Sequence, residues 1–511
     1  MQGFNSTQLI MKKIFKFFVI AGLCVVSASC TKLDEEPTSI LVPSQYFNTV
    51  ADAEAAVMGI YSLVSNGDGY GRRLTMVLQL LGDDMDIADI GTQSSRIQLN
   101  NFSHDASNQD ILAVWRTAYL GIGAANAAID GIPKVQMDEK KKNALIAEAR
   151  VLRALFYSHL VQLFGDVPYM GASVTDPATV TDISRTKADE VYGHMIEDCK
   201  FGVANLPNTY ASNNRARPSK GSAQTLLASI YMIQGKWAEA ATEAEAVIKA
   251  ASSYNYALVK DFQDLWKADL GYQSEHVWVA DFAGGITGEN SSNVDYTAPM
   301  TGVRDADMQG WSVLVPSNGM FSSFSDQDYR KKVSYLLETP IKGVMTPWNK
   351  FRWPKIHTAK WCLFPGDNAG ADGADSDIKH VIFRYAEVLL MAAEAINESK
   401  GGPTAEAYSY LNAVRARARY TPQGQQAYPA DAAGMTQAQF RAAVREERRV
   451  ELAFEWKRWY DIKRWNIVVE SFTKPDAFEK QANVKEHHKL LPVPQDEINR
   501  NQNLLPQNPG Y

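Results

Sequence analysis

Apolar positions in this chain recur mostly at helical spacing. From Asp110 to Ile132, residues Ile111, Val114, Trp115, Ala118, Tyr119, Ile122, Ala125 and Ile129 are spaced by three and four, which predicts one amphipathic helix. A second helix is predicted from Asp138 to Phe164, where Gly165-Asp166-Val167-Pro168 supplies a glycine stop and a proline that cannot continue it. The two read as an antiparallel helical hairpin. The pattern returns as Ser222 to Gln234, Gly235, Ala238 to Ala250, and again as Ile382 to Asn397, Gly401-Gly402, Thr404 to Arg419. Small residues such as Ala223, Ala228, Ala240, Ala386 and Ala393 allow close helix approach, while Leu227, Tyr231, Trp237 and Leu390 fill the space between hairpins. This predicts an all-α protein on a tetratricopeptide-like helical-repeat scaffold.

Between residues 283 and 380 the helical period fades, and Gly, Asn, Asp and Ser become frequent. Aromatic residues accumulate there: Tyr296, Trp311, Phe321, Trp348, Phe351, Trp353, Trp361 and Phe364. That many aromatics argue against disorder and for a loop-rich, ligand-binding insertion.

The N-terminus has another character. Met11-Lys12-Lys13 precedes an apolar run from Phe17 to Val26 and then Ser27-Ala28-Ser29-Cys30, the layout of a secretory signal ending at a lipidation cysteine. The run is shorter than the roughly 20 apolar residues needed to span a bilayer. The expected mature chain is therefore held by acyl chains on Cys30, outside the cytoplasm, with Met11 a better start than Met1.

Apolar content of 45% and charge content of 22% are those of a globular protein, and a net charge of −6 argues against nucleic acid as a partner. Of the four cysteines, Cys24 leaves with the signal and Cys30 takes lipid, so Cys199 and Cys362 remain, expected as buried free thiols. No CxxC, HExxH or clustered histidine motif suggests zinc, and His487-His488 reads as a surface pair. Asp367, Asp372, Asp375 and Asp377 could offer oxygens to Ca²⁺, but their spacing fits no full EF-hand loop and a solvated turn is favoured. Gly121-Ile122-Gly123-Ala124-Ala125-Asn126 lacks the preceding strand of a dinucleotide site and reads as close helix packing.

Glu447, Glu451, Glu455, Arg458 and Asp461 fall at spacings of three and four, as if laddered along one helix. A glycosidase would need two carboxylates flanking a cleft, and the ladder is expected instead to pack against the repeats.

Motifs across the chain resemble the SusD/RagB family of surface nutrient-binding lipoproteins. They run from Leu33-Asp34, Pro37, Phe47, Ala51-Asp52-Ala53 and Gly59-Ile60-Tyr61 through Ala147-Glu148-Ala149-Arg150 and Phe164-Gly165-Asp166-Val167-Pro168. They continue with Arg384-Tyr385-Ala386-Glu387, Asn412-Ala413-Val414-Arg415, Glu446-Glu447-Arg448-Arg449, Asp461-Ile462-Lys463-Arg464-Trp465 and the ending Asn508-Pro509-Gly510-Tyr511. The resemblance implies four tetratricopeptide-like hairpins, with a signal peptide over 1–30, an N-terminal region over 31–270 and a C-terminal region over 271–511 that contains the 283–380 insertion. It also implies a lipid-anchored outer-membrane location at the cell surface and a SusC-like TonB-dependent transporter as partner. A glycan ligand would be delivered to that transporter uncut, with no enzymatic activity and no cofactor.

The stacking residues expected to carry the glycan are Tyr296, Trp311, Trp348, Trp353 and Trp361, since a sugar ring lays its C–H face on an aromatic ring. Covering roughly 60 Å² of ring face at about 25 cal/mol/Å² gives about 1.5 kcal/mol per platform. Trp115, Trp237, Trp459 and Trp465 are read as core. In the family's starch binder the ligand arc also draws on the loop before the Trp115 helix, and residues 83–105 here hold no Trp, a departure from that pattern. Other readings are an oligopeptide receptor, a surface glycosidase, and a purely structural tetratricopeptide adaptor.

Overall fold

The computed structural model describes residues 47–174, 176, 180–283, 294–366, 376–474 and 483–511. Cys30 and the signal segment lie outside the described residues, as do Asp367, Asp372 and Asp375. The elements below belong to the unit Asn48–Tyr511.

Helix α1 (Val50–Val64) opens with a capping box in which Thr49 and Asp52 each accept the other's backbone N–H, and it buries Ala53, Val57, Ile60 and Val64 along one stripe. There follow α2 (Arg73–Leu80), strand β1 (Met85–Ile87), α3 (Ser94–Asn100) and α4 (Gln109–Gly131). The α4 N-cap, Asn108, accepts from the N–H groups of Asp110 and Ile111. Helix α5 (Glu139–Phe164) is capped by Asp138 and ends at Gly165 with φ +74. A Cβ at Gly121 would fall 2.3 Å from the Phe156 ring, so glycine there lets α4 and α5 meet closely, whereas Gly123 faces open space.

The array continues through α6 (Ala188–Asn205), α7 (Lys220–Ile233) and α8 (Trp237–Lys249), the last two joined at Gly235 with φ +68. Strand β2 (His276–Ala280) comes next, then the insertion strands β3 (Leu314–Pro316), β4 (Tyr335–Leu336), β5 (Glu338–Ile341), β6 (Val344–Pro347) and β7 (His357–Thr358). Strand β8 (His380–Arg384) leads into α9 (Tyr385–Lys400), α10 (Ala405–Ala418), α11 (Gln437–Glu451) and α12 (Arg458–Arg464). Helices pack as neighbours in the order α1, α4, α5, α6, α7, α8, α9, α10, with α11 also against α9. The strands form antiparallel pairs: β1 with β3, β2 with β8, β4 with β7, β5 with β6.

The structure corrects four expectations. The helix expected from Ile382 begins at Tyr385, because the β-branched and aromatic run Val381-Ile382-Phe383 is buried as a strand against β2. Trp237, at the exposed start of α8, is half-buried and not core. His488 is buried rather than a surface residue, its ring 5.3 Å from Phe102 and 5.4 Å from His104.

The fourth correction concerns the charge ladder. It is not one helix: α11 stops at Glu451, and the connection to α12 holds Phe454 and Trp456 at positive φ. Its carboxylates are buried and reach across the fold. Arg384 donates to Glu275 (2.7 Å), Glu451 (2.5 Å) and Glu455 (2.8 Å), all of them solvent-excluded. Arg330 bonds Asp328, Glu447 and Glu451 at 2.8, 2.6 and 2.7 Å, Lys360 bonds Glu455 at 2.8 Å, and Arg417 bonds Glu275 and Glu451. With Arg415 on Glu447 the set holds five cations and five carboxylates, so the buried charges balance. Arg458 bonds Asp83, and Asp461 takes Arg448 and Arg464, which fixes the C-terminal region to the early loops and to α9. Cys199 and Cys362 are buried free thiols, and burial pushes the Cys362 thiol up to about 12.

Two predictions follow from these buried charges. The Arg417, Arg384 and Arg330 guanidiniums hold the Glu451 carboxyl well below the usual range despite its burial. Its stabilising contribution is therefore present at neutral pH and lost as pH falls through the carboxylate range. Glu451→Ala should cost about 3–5 kcal/mol by urea unfolding, because it strands buried guanidiniums; a cost under about 1 kcal/mol would contradict the network. Asp84 behaves oppositely: burial and the neighbouring Asp83 push it from 3.8 up to about 7. Folded Asp84 holds its proton through a window where the unfolded chain has released it, so stability falls as pH rises through that window. Asp84→Asn should stabilise by on the order of 2 kcal/mol at pH 8 and by little at pH 4, a difference that paired melts will reveal.

Candidate functional site

The 66–73 segment joins α1 to α2 by a glycine-rich turn. Asn66 Oδ1 accepts the N–H groups of Asp68 (3.0 Å) and Gly69 (2.6 Å), and Gly71 O accepts the N–H of Tyr296 at 2.8 Å. A Cβ on Gly71 would sit 2.5 Å from Val294 O and 2.8 Å from Asn66 O, so only glycine allows this approach. The Arg72 guanidinium is thereby set over the Tyr296 ring, 4.8 Å from its centroid.

Trp311 lies beside Tyr296, with ring centroids 5.9 Å apart and planes inclined by 33°. Both rings are half-buried. The loop that delivers Trp311 is strained: Asp305, Gln309 and Ser312 adopt φ of +68, +47 and +51. What holds it is a polar chain. Burial lowers His357 to about 4, so the ring is neutral at physiological pH. Its Nδ1 lies 2.9 Å from Lys355 O, which assigns the proton to Nδ1 and makes Nε2 the acceptor for the Ser312 hydroxyl at 2.8 Å. Ser312 Oγ in turn accepts the N–H of Arg304 at 2.8 Å, and Ser312 O accepts the N–H of Asp89 at 2.9 Å. Backbone of residues 302 and 310 is in contact, since a Cβ on Gly310 would fall 2.0 Å from the Gly302 carbonyl carbon. The aromatic pair is thus fixed before any ligand arrives.

The other expected platforms are distributed differently. Trp353 is half-buried beneath Arg352 at 4.9 Å, and Arg352 reaches Asp305 at 3.7 Å, which ties this segment to the Trp311 loop. Trp348 is 37% exposed after the β5–β6 hairpin and makes no ring contact with the other four among the described residues. Trp361 is 0% exposed, stacked on Trp456 at 4.6 Å, with its indole N–H donated to Phe454 O at 3.1 Å. With both faces and its polar edge committed to the core, Trp361 is no stacking platform, a correction to the expected set. Sequence reasoning missed Arg72; its signal was the run Asn66-Gly67-Asp68-Gly69-Tyr70-Gly71 before Arg72-Arg73.

Two half-buried aromatic rings beside a guanidinium, with Asn66 and Asp68 near, can hold a polyhydroxylated ring by stacking and hydrogen bonds. The buried and ion-paired Glu447, Glu451, Glu455 and Asp461 offer no acid–base pair to a glycosidic bond. No cluster of metal-ligating side chains is found among the described residues.

Comparison with known proteins gives consistent matches. A model described as "SusD family" matches residues 342–511, and one described as "Starch-binding associating with outer membrane" matches residues 33–232. SusD-like protein P2 of Formosa agariphila is 40% identical over 515 residues, covering 98% of this chain and 100% of that protein. A crystal structure of a SusD homolog from Bacteroides thetaiotaomicron superposes with TM-score 0.82 at 25% identity, covering 92% of this chain and 98% of that one. Surface glycan-binding protein A from Bacteroides thetaiotaomicron, in complex with laminarihexaose, superposes with TM-score 0.75 at 21% identity, covering 90% and 100%.

The different burial of the tryptophans is checked by stability. Trp361→Ala should cost about 3–5 kcal/mol, whereas Trp348→Ala should change unfolding free energy by about 0.5 kcal/mol or less. Equal losses in the two variants, measured by denaturant titration, would refute the assignment of Trp361 to the core and Trp348 to the surface.

Proposed function

The chain belongs to the SusD family, and from that premise we propose that it is a non-enzymatic receptor that captures glycans at the cell surface and passes them to a SusC-like TonB-dependent transporter. The observation that carries this reading is the Tyr296–Trp311 pair, preorganised by the Ser312–His357 chain. Trp353 and Trp348 flank it as accessory contacts, and Cys30 carries the lipid that tethers the chain to the outer membrane. The helices pack in succession, α1 with α4, α5 with α6, α7 with α8, and α9 with α10 among the neighbouring pairs, which supports a tetratricopeptide-like scaffold. In this reading the helices from Val50 to Arg464 share one superhelix, and the described part of the 283–380 insertion presents the ligand surface.

Two or three platforms of about 1.5 kcal/mol each, set against the cost of association, give dissociation constants on the order of 0.1–10 mM. Weak capture suits a protein that must release its ligand. The test is affinity electrophoresis of the chain truncated after Cys30 through gels containing polysaccharides, laminarin among them. Retardation by one glycan, reduced about tenfold in apparent affinity by Trp311→Ala and with no new reducing ends, is the expected outcome. Absence of retardation by every glycan would reject glycan capture in favour of a peptide ligand, and release of reducing ends would identify an enzyme.

A further inference from the structure

Three guanidiniums gather near Tyr296: Arg72 over its ring, and Arg73 and Arg96 close enough to Arg72 to repel one another. Arg73 has the closer carboxylates, with Nε 2.7 Å from Asp68, though not in hydrogen-bond geometry, and Nη1 donating to Asp110 at 3.2 Å. Arg72 is left with Asp68 at 4.0 Å, beyond hydrogen-bond reach, and among the described residues its buried Nε has no acceptor. Among the described residues Arg96, buried on α3, donates to Thr92 Oγ1 at 2.9 Å, and its Nε lacks an acceptor. Burial and the repulsion of Arg72 and Arg73 lower the Arg96 guanidinium, in spite of Asp110. Among the described residues, Asp68 and Asp110 are the carboxylates within 4 Å of these three guanidiniums. Other carboxylates along these segments are engaged elsewhere: Asp86 by Asn100 and Lys355, Asp89 by the N–H of Gly91, and Asp295 by His380.

We infer that the Tyr296–Trp311 platform selects an acidic sugar, whose carboxylate or sulfate oxygens take the free N–H edge of Arg72 while the ring lies on the aromatic faces. This rests on the glycan-capture reading and names the ligand class within it. The Arg72 guanidinium, with its carbon 4.8 Å from the Tyr296 centroid, carries planar N–H groups of which a carboxylate or a sulfate can accept two at once. Arg72 is also the N-cap of α2, whose first turn carries no acidic residue, so the positive end of that helix adds to the same potential. Arg73 and Arg96 supply charge from behind, without needing to touch the ligand. A neutral glucan would leave the Arg72 edge and the excess charge unanswered.

Calorimetric titration of the chain truncated after Cys30 separates the possibilities. The probes are oligogalacturonate for a carboxylate, carrageenan oligosaccharide for a sulfate ester, and laminarihexaose as the neutral control, each at 20 and 300 mM NaCl. Binding of one acidic probe, weakened several-fold at the higher salt and at least about tenfold by Arg72→Gln, is expected. Arg72→Lys should recover only part of the loss, because an ammonium is a point charge without the planar fork. The acidic probe that binds identifies carboxylate or sulfate as the source. Thermal melts of both variants verify the fold, and should Arg72→Gln unfold, the Arg72→Lys titration decides. Binding confined to laminarihexaose, or acidic binding changed less than twofold by Arg72→Gln, overturns the inference and leaves glycan capture standing. Binding of no glycan defeats both.

Discussion

The guanidinium of Arg384 is the point on which the rest of the fold is hung. It lies at the junction of β8 and α9 and takes Glu275 before β2, Glu451 at the end of α11, and Glu455 beyond it. Segments far apart in sequence therefore share one buried charge. Desolvating such groups is costly, and the cost is offset only when every member has its partners. The network accordingly favours a single arrangement of strand, repeat helices and C-terminal connection over near alternatives. The irregular turn after α11 follows from it: Phe454 and Trp456 take left-handed backbone conformations, and the Ala453 and Phe454 carbonyls accept from Lys360, Trp361 and Gln79. The insertion is thus fastened to the scaffold through that turn.

Helices were legible because their signals are local. The three-and-four spacing of Ile111, Val114, Trp115, Ala118 and Ile122 reappears as the buried face of α4, and Asp138 and Gly165 bound α5 as a cap and a stop should. What failed was long-range. Glu447, Glu451 and Glu455 have the same spacing as an exposed ion-pair ladder, and nothing local shows that Arg330, Arg384 and Lys360 come from elsewhere to bury them. The strand at Val381-Ile382-Phe383 was hidden for the same reason, since its partner β2 lies about a hundred positions earlier. Among the aromatics, Trp311 and Trp361 sit in similar turn-rich sequence. They differ because Lys360 is drawn inward by Glu455 and carries its neighbour Trp361 into the core.

If glycan capture at the Tyr296–Trp311 pair is the function proposed above, the site combines weak binding with specificity. Three left-handed residues in the Trp311 loop are an energetic burden that the Ser312–His357 chain and the β1–β3 pairing offset in the free protein. The aromatic faces then need no ordering on binding, so affinity is limited by contact area and not by reorganisation. A small preorganised surface releases its ligand readily, and discrimination has to come from the few polar groups beside it.

Arg72 is the group placed to discriminate. The chain carries a net charge of −6, so an acidic ligand approaching at random meets repulsion over most of the surface. A local excess of guanidinium at Tyr296 reverses that sign at one place, which raises the encounter rate there and suppresses it elsewhere. Stacking alone would accept any sugar with an exposed C–H face. Stacking beside a cation without a bonded carboxylate favours sugars that bring their own negative charge, and it does so without adding the buried area that would slow release.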